Sequence, residues 1–306
     1  MNRRIDLADF TPYSSGGIHV QRGTIDTPFP AHEHGFLELF IVVSGSAVHS
    51  IDGRRFDVSE GSVYAVQKGS VHAFDEVDTL SLWNIMLAEG YPPLADESLR
   101  LLPGYQALFV VDPALPSNDR TGPLVVLDAP GIAYTEGVLR DLGRELAQRK
   151  PGWEVASRAG FFLLATHLGR EYDVCHRAET DTDTRARRDC AFGIARALAY
   201  LERNLNRQVQ VSELAEEAGL SERHFSRLFR SAYGQPPISY AAELRLERAR
   251  ELLNSGSLVL EEIAERTGYS DAAHLCRVFQ TAYGCTPSHF RRAPPTAVHG
   301  VFDNRG

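Results

Sequence analysis

An internal repeat in the last third of the chain constrains the fold more than any other feature. Residues 211–240, VSELAEEAGLSERHFSRLFRSAYGQPPISY, match residues 260–290, LEEIAERTGYSDAAHLCRVFQTAYGCTPSHF, at an offset of 49 to 50 residues. Self-similarity at a fixed spacing indicates two copies of one supersecondary unit. The two stretches are therefore expected to fold alike, each as a pair of helices.

Each copy has the sequence pattern of a helix-turn-helix. A small residue lets two helices cross closely, a glycine suits a left-handed turn, and a serine is a good N-cap for the second helix. These positions are Ala215, Gly219 and Ser221 in the first copy and Ala264, Gly268 and Ser270 in the second. The run between the copies, YAAELRLERARELLNSG (240–256), has the apolar spacing of a long amphipathic helix that can hold both units.

The second helix of each copy presents polar side chains opposite its apolar face. The exposed residues are predicted to be Arg223, Ser226, Arg227 and Arg230 in the first copy, and Ala273, His274, Cys276 and Arg277 in the second. A helix that follows such a turn and carries polar and cationic groups fits the major groove of B-DNA. An ordinary helical hairpin with a solvent-exposed face can also show this pattern once. The duplication of the pattern at a fixed spacing favours DNA binding.

The net charge of the whole chain, −8, is unfavourable for a nucleic-acid partner, because phosphate binding depends on Lys and Arg. The two parts of the chain differ, however. Residues 1–184 carry 15 basic and 26 acidic side chains, a net charge of −11, whereas residues 185–306 carry 17 and 14, a net charge of +3. All 17 basic residues of the second part are arginine, which binds phosphates and guanine edges in a bidentate manner. This asymmetry predicts two parts with two functions.

The repeat resembles the AraC/XylS family of transcription activators over residues 197–292. The motifs that carry the resemblance are LFRSAYGQPPISY, then RLERARELL, and then IAERTGYSDAAHLCRVFQTAYGCTPSHFRR. It implies a sequence-specific transcriptional regulator, an activator and not an enzyme. The implied partners are double-stranded operator DNA, RNA polymerase, a small-molecule effector and a second copy of the chain.

The resemblance also assigns the base-reading positions. Arg223, Ser226 and Arg227 occupy them in the first unit. In the second unit they are Ala273, His274, Cys276 and Arg277. Because Ala273 cannot donate a hydrogen bond, the second unit is expected to rely there on backbone contacts and DNA shape.

The first 90 residues of the chain have the pattern of short strands. Segments rich in Val, Ile and Phe alternate with turn signals roughly every 8–12 residues, which is typical of an all-β sandwich or barrel. The sequence IDG (51–53) predicts a tight hairpin turn. The family often places a cupin-type β-barrel sensor ahead of its DNA-binding part, and two motifs fit one. They comprise His32, His34, Glu38 and Gly45, and then Gly61, Gly69 and His72, with Gln67 at the position of the usual proline and Glu76 at that of the usual asparagine.

The candidate ligands of this barrel are His32, His34, Glu38 and His72. Three imidazoles and a carboxylate are suited to a divalent metal such as Fe, Mn, Ni or Zn. Strand alternation points His32, His34 and Glu38 into the barrel together. The same residues can instead bind a sugar without metal, and the sequence leaves both interpretations open.

A second, more diffuse resemblance concerns the effector. The stretch from His32 through SLWNIML (81–87) is similar to the rhamnose-operon activators of the family. The resemblance implies a sugar or sugar acid as effector, bound by the four candidate ligands and by Trp83, whose ring can stack on a sugar face.

The complete prediction is an α+β chain. A cupin-like sensing domain (1–130), irregular over the proline-rich residues 92–131, precedes a helical pair (131–175), a polar linker (176–190) and a double helix-turn-helix domain (191–294). The spacing of Val138, Leu142 and Leu146 predicts one helix of this pair, and the stripe of Ala159, Phe162, Leu163, Thr166 and Arg170 predicts the other. The simplest interpretation is two antiparallel helices separated at Pro151-Gly152. The helical pair either covers the barrel or forms a dimer interface. The competing interpretation is a metal-dependent cupin enzyme, an isomerase or dioxygenase, with an appended helical domain. The sequence has no apolar run long enough for a membrane span, no secretory signal and no CxxC spacing, so a cytoplasmic protein is expected.

Overall fold

The structure, a computed structural model, describes residues 3–10, 17–88, 91, 94, 96–111, 123–178, 182–256 and 258–292. The chain divides into two compact units. The first comprises Met1–Ala199 with Glu217–Leu220, and the second comprises Tyr200–Glu216 with Ser221–Gly306. The first unit contains all the described strands and the second is helical, as the predicted α+β class requires.

The first unit is built on one sheet of eight strands. The strands are β1 (Arg3–Ile5), β2 (Ile18–Ile25), β3 (Phe29–His34), β4 (Leu37–Ile51), β5 (Arg54–Ser59), β6 (Ser62–Val66), β7 (Val71–Leu87) and β8 (Val125–Val126). Their main order is β1-β3-β7-β4-β6-β8, while β2 pairs with β7 and β5 pairs with β4. The long strand β7 thus connects β2, β3 and β4 and carries most of the sheet.

Two local features shape strand β4. The predicted hairpin turn follows it, because Asp52 and Gly53 take positive φ angles of 48° and 83° and bring Ile51 opposite Arg54. Its pairing with β7 shifts register around Gly45, whose φ is +82° and where a Cβ atom would collide with the Thr79 carbonyl. The glycine of the first cupin motif is therefore required by a bulge in the sheet.

Most of residues 97–111 is helical, so the prediction of an irregular segment was wrong there. Helix α1 (Glu97–Arg100) and helix α2 (Pro103–Gln106) are followed by a π-helical turn over Ala107–Val111 whose side chains are mostly buried. Proline at the first position of a helix has no backbone N–H to lose, so Pro103 begins helix α2 and does not break it. The part of the proline-rich segment at 112–122 lies outside the described residues.

Two helices pack antiparallel after the sheet, as predicted. Helix α3 (Ala129–Gln148) and helix α4 (Trp153–Ala178) are separated by the predicted break at Pro151-Gly152. The apolar stripe predicted for α4 is not its buried face, since Leu163 is 54% exposed. Its large or apolar buried side chains are Phe161, Leu164, Ala165, Leu168 and Tyr172. Helix α4 carries apolar residues on two faces, and its packing against α2 and α3 selects the other one.

The predicted linker (176–190) is helical wherever the structure describes it. Helix α4 continues to Ala178 and helix α5 (Thr182–Arg203) begins four residues later. The His176 Nε2 atom lies 3.2 Å from Asp189 Oδ1, and its ring stacks on Phe192. Charged residues and alanine are compatible with helix, so polarity alone does not indicate an irregular linker. The two compact units divide at Ala199, beyond this segment.

Six more helices follow among the described residues up to 292: α6 (Val211–Ala218), α7 (Glu222–Tyr233), α8 (Pro237–Ser255), α9 (Leu260–Arg266), α10 (Ala272–Tyr283) and α11 (Pro287–Arg292). Helices α6 and α7 form the first helix-turn-helix, and α9 and α10 form the second. The core of the second combines residues of three helices, namely Leu246, Ala249 and Leu253, then Ile263 and Ala264, and finally Leu275 and Phe279. None of the helices described has the length and apolarity needed to cross a membrane.

Candidate functional site

A cavity of about 670 Å³ lies on one face of the sheet in the first unit. The predicted residues His32, His34, Glu38 and His72 all line it. Strand β3 positions the first two, β4 positions Glu38 and β7 positions His72. The strand alternation predicted from the sequence is confirmed, because the intervening Glu33 does not line the cavity.

Three of these residues converge on one point. The Glu38 Oε2 atom is 3.2 Å from His34 Nε2 and 3.3 Å from His72 Nε2, and all three side chains are buried. None of the three atoms has a hydrogen-bond partner among the residues described. His32 lies outside this group of donor atoms: its ring centroid is 4.1 Å from that of His72, while its Nδ1 faces the Pro30 carbonyl at 3.0 Å.

The protonation state of the cluster follows from its surroundings. Burial lowers the pKa of His72 to about 3, despite the nearby Glu38 carboxylate. Burial would raise the pKa of Glu38, but the contact with His34 and the neighbouring histidines outweigh it and hold that pKa below its ordinary value. At neutral pH the cluster therefore contains a neutral imidazole beside a carboxylate, which is the form that binds a cation.

The His34 tautomer is set by the backbone. Its Nδ1 lies 2.8 Å from the Phe36 carbonyl oxygen, which can only accept, so Nδ1 carries the proton. The Nε2 atom of His34 therefore faces the Glu38 carboxylate. A buried ring nitrogen and a carboxylate oxygen 3.2 Å apart are held together when a proton or a cation lies between them. The residues present thus fit a divalent metal held by His34, Glu38 and His72.

The structure does not place Trp83 in the cavity. The residues before and after it on β7, Leu82 and Asn84, line the cavity, so its own side chain points to the other face of the sheet. There its indole N–H donates to Glu136 of helix α3 at 3.2 Å, and the side chain is 8% exposed. Trp83 was predicted to bind the effector because its ring is aromatic. Its position in strand β7 instead indicates packing against the helical pair.

This placement gives a test. Trp83→Phe is expected to leave effector affinity within about two-fold of wild type and to lower the free energy of unfolding by about 1 kcal/mol, since one hydrogen bond is lost. Thermal unfolding with and without effector measures both quantities. A tenfold loss of affinity at unchanged stability would place Trp83 in the binding site.

The first helix-turn-helix has the predicted local geometry. Gly219 takes a φ of 69° in the turn, and the Ser221 hydroxyl accepts from the His224 N–H at the start of α7. Along α7, the residues Phe225, Leu228 and Phe229 are buried, while Arg223, Arg227 and Arg230 are exposed and Ser226 is half-buried. Three arginines therefore project from one face of a helix that is held by its other face.

The second helix-turn-helix differs at its N-cap. Gly268 takes the expected positive φ of 72°, but Asp271, not the predicted Ser270, caps α10, and its Oδ1 accepts from the His274 N–H at 2.7 Å. A carboxylate is stabilised by the helix dipole more than a hydroxyl is, and the Ser270 hydroxyl donates to it.

The predicted reading face of α10 is less cationic than that of α7. Ala273 and Arg277 are exposed, whereas His274 and Cys276 are half-buried. Gln280 is exposed one turn beyond Arg277 and was missed by the sequence analysis. The repeat contained the signal, because an offset of 50 residues aligns Gln280 with Arg230.

The segment Leu205–Gln208 joins both helix-turn-helix units. The buried Arg245 of α8 donates to the Leu205 and Arg207 carbonyls, at 3.2 and 2.7 Å. The Arg207 side chain binds Glu213 of α6 at 2.6 Å, and the Gln208 amide donates to the Gly268 carbonyl at 3.3 Å. One segment thus contacts the first helix of one unit and the turn of the other.

Comparisons with known proteins match two separate parts of the chain. A helix-turn-helix domain model matches residues 214–293 and a cupin domain model matches residues 18–82. The HTH-type transcriptional activator RhaR of Mannheimia succiniciproducens is 24% identical over 274 residues, which are 90% of this chain and 91% of the relative. The HTH-type transcriptional activator RhaS of Pectobacterium carotovorum is 26% identical over 284 residues, 92% and 95% of the two chains.

Solved structures also resemble the helical part. The DNA-binding domain of AdpA in complex with a target DNA is 30% identical, covers 32% of this chain and 89% of that chain, and has a TM-score of 0.31. A regulator with an AraC-type DNA-binding domain from Chromobacterium violaceum is 31% identical over 34% of this chain and 95% of that chain, with a TM-score of 0.32. The chain belongs to the AraC family. This AraC-family protein is a DNA-binding transcriptional regulator with a cupin domain ahead of its two helix-turn-helix units, as the sequence predicted.

Proposed function

We propose that this AraC-family protein is an activator whose cavity binds a neutral, polyhydroxylated effector such as a sugar. The observation that carries the proposal is the lining of the cavity. It offers hydrogen-bonding side chains from several strands, among them Gln21, Thr24 and Asn84, beside the apolar Phe36 and Phe74. Concave sites of this size with a few convergent polar groups are typical of small-molecule binding. The similarity to RhaR and RhaS supports the role as an activator.

The charge of the cavity favours a neutral sugar over a sugar acid. The acidic residues Asp9, Asp26 and Glu38 line it, and no Lys or Arg is among the described lining residues. Among the side chains that line the cavity, the carboxylate of a sugar acid would therefore find no Lys or Arg as a partner, and burial of an unpaired charge costs free energy. The sequence left sugar and sugar acid open, and we propose the neutral sugar because the charged side chains that line the cavity are acidic.

A matched pair of ligands tests the proposal. Purified protein is titrated with neutral hexoses and deoxyhexoses and with the corresponding hexuronates, and thermal stabilisation is recorded. A neutral sugar is expected to raise the melting temperature and to change operator affinity, and its uronate is expected to do neither. Operator binding that is identical with and without every neutral sugar would contradict the proposal.

We propose further that effector binding is coupled to DNA binding and to recruitment of RNA polymerase. Coupling free energies of this kind are typically about 1–3 kcal/mol. The proposed assembly is a homodimer through the outer surface of helices α3 and α4, where Tyr134, Val155 and Leu163 are exposed. Because its partner is promoter DNA, the protein is expected to act in the cytoplasm beside the chromosome. Size measurement by light scattering, with Leu163→Glu as the disrupting variant, tests the dimer.

The third part of the proposal is a divalent metal, Fe, Mn, Ni or Zn, held by His34, Glu38 and His72. It is supported by the three buried donor atoms that face one another without hydrogen bonds. A bound metal would supply a Lewis-acidic centre for oxygen atoms of a ligand. We propose that the cavity binds its ligand without turning it over, because the metal-dependent isomerase or dioxygenase alternative gives no role to the duplicated helix-turn-helix. Turnover assays of metal-loaded protein with the sugars that it binds distinguish a ligand-binding protein from a metal-dependent enzyme.

Arg227 is the residue we propose for base reading in the first unit. Arg227→Ala is expected to weaken specific operator binding by about 1–3 kcal/mol, roughly 5- to 150-fold, and to relax base preference at one position. Binding assays on a panel of operator variants measure the effect. The control is Arg248→Ala, which removes the same charge from α8, where Arg248 pairs with Glu251. An equal loss on all DNA sequences would make Arg227 a phosphate contact.

A further inference from the structure

The buried Arg245 of helix α8 holds the segment Leu205–Gln208 through all three nitrogens of its guanidinium group. Its Nε and Nη2 atoms donate to the Leu205 and Arg207 carbonyls, and its Nη1 atom donates to the Gln208 side-chain oxygen at 3.3 Å. These acceptors are neutral, and no carboxylate pairs with Arg245 among the residues that the structure describes. Burial of a guanidinium without an opposite charge costs free energy, and an apolar residue often serves stability as well. The contacts therefore indicate a role in holding the segment in place.

The Gln208 amide connects Arg245 to the second helix-turn-helix. Its oxygen accepts from Arg245, and its nitrogen donates to the Gly268 carbonyl at 3.3 Å. The orientation of the amide is fixed, because a guanidinium can only donate and a backbone carbonyl can only accept. Gly268 lies in the turn before α10, which begins at Ala272. One side chain therefore joins Arg245 to the turn that sets the start of this reading helix.

The turn of the second unit also packs directly on this segment. A Cβ atom at Gly268 would lie 2.6 Å from the Leu205 carbonyl oxygen and 3.1 Å from the Arg207 nitrogen, so a side chain there would displace the backbone. The matching glycine of the first unit, Gly219, has nearly the same positive φ, but the nearest described atom to its Cβ would be Arg196 Nη2 at 3.9 Å. The repeat thus uses one residue in two ways. Gly219 serves the backbone conformation alone, whereas Gly268 also permits a close contact.

We propose that Arg245 is a positioning residue that fixes the second reading helix relative to the first. The segment that it holds is also bound to the first unit, because Arg207 contacts Glu213 of α6 at 2.6 Å. On its other side, Gln208 and Gly268 join the segment to the second unit. DNA binding gains from this arrangement. Once the first helix is bound, a fixed separation gives the second a high effective concentration at its own stretch of the same duplex.

The first experiment measures this effective concentration. The wild-type full chain selects a duplex from a random library, and affinities are measured for that duplex and for versions in which one of the two contacted stretches is scrambled. The affinity for the intact duplex divided by the product of the two single-stretch affinities is the effective concentration. In Arg245→Met it is expected to fall about 10-fold, while both single-stretch affinities stay within about two-fold of wild type.

Three results would overturn the proposal. The first is an unchanged effective concentration in Arg245→Met. The second is a wild-type affinity that does not depend on the second stretch. The third is a loss of single-stretch affinity in Arg245→Met as large as the loss on the intact duplex, together with a lower urea midpoint, because Arg245 would then only stabilise the fold.

A matched pair of glycine variants tests the same contact without changing Arg245. Gly268→Ala and Gly219→Ala introduce the same backbone strain, because alanine disfavours a positive φ in either turn. Only Gly268→Ala also forces the turn away from the Leu205 carbonyl. The effective concentration is expected to fall about 10-fold in Gly268→Ala and to stay within about two-fold of wild type in Gly219→Ala. Equal effective concentrations in the two variants would show that the contact does not position α10, and would overturn the proposal.

Discussion

Replacing Phe279 by alanine is expected to destabilise the second helix-turn-helix more than any other single change considered for this part of the chain. Its ring is fully buried and contacts the rings of Tyr283 and Phe290, and it packs with residues of α8 and α9 in one core. Truncation of a buried phenylalanine typically costs about 3–5 kcal/mol, because transfer free energy is lost and a cavity remains. A domain of ordinary stability has only about 5–15 kcal/mol in total.

Urea unfolding followed by circular dichroism measures the loss, and operator binding measures its consequence. The helical transition of Phe279→Ala should move to lower urea concentration, and the variant should lose specific binding while cupin-domain stability is retained. Val259→Ala is the control, since Val259 is largely exposed and its truncation should cost less than about 0.5 kcal/mol. A loss below about 1 kcal/mol in Phe279→Ala would show that the core can close around the missing ring.

The second large effect is expected in the cavity, where His34→Ala should abolish binding of the divalent metal that we propose. His34 contributes one of the three donor atoms, and its position is fixed by the hydrogen bond to the Phe36 carbonyl. Loss of an outer partner of a metal ligand already costs about 10- to 100-fold in affinity, so loss of the ligand itself should exceed about 100-fold. Elemental analysis of purified protein and competition with a coloured chelator measure the change.

The matched control for this experiment is His19→Ala, a histidine of strand β2 that does not line the cavity. It should retain wild-type metal content. Glu38→Gln provides an independent variant that keeps the volume of the side chain but removes its charge, and it should lose metal as well. Stoichiometric metal that persists in both His34→Ala and Glu38→Gln would refute the assigned site.

The sequence predicted those parts of the fold that depend on the spacing of residues along the chain. The offset of the repeat located both helix-turn-helix units, and the HxH pattern placed His32 and His34 on one face of a strand. These inferences succeed because a helix and a strand each have one fixed period.

The predictions that failed depended on which neighbour a residue meets. Helix α4 has apolar residues on two faces, and only contacts with α2 and α3 decide which is buried. Trp83 was assigned to the cavity by residue type, although strand phase directs it towards Glu136. Ser and Asp are both good N-cap residues, and in the structure Asp271, not Ser270, is the N-cap of α10.

The segment Leu205–Gln208 has a consequence for the architecture of operators. Since it contacts α6, α8 and the turn before α10 at once, we expect the two reading helices to keep a fixed spacing. One inserted base pair rotates a sub-site by about 36° around the DNA axis, because the double helix turns once in about 10 base pairs. Two reading helices at a fixed spacing cannot follow that rotation. The number of base pairs between the two stretches that they contact should therefore matter for binding as much as the bases in those stretches. Target sites in the genome should therefore have the same number of base pairs between these two stretches, whereas the sequence of those intervening base pairs should vary.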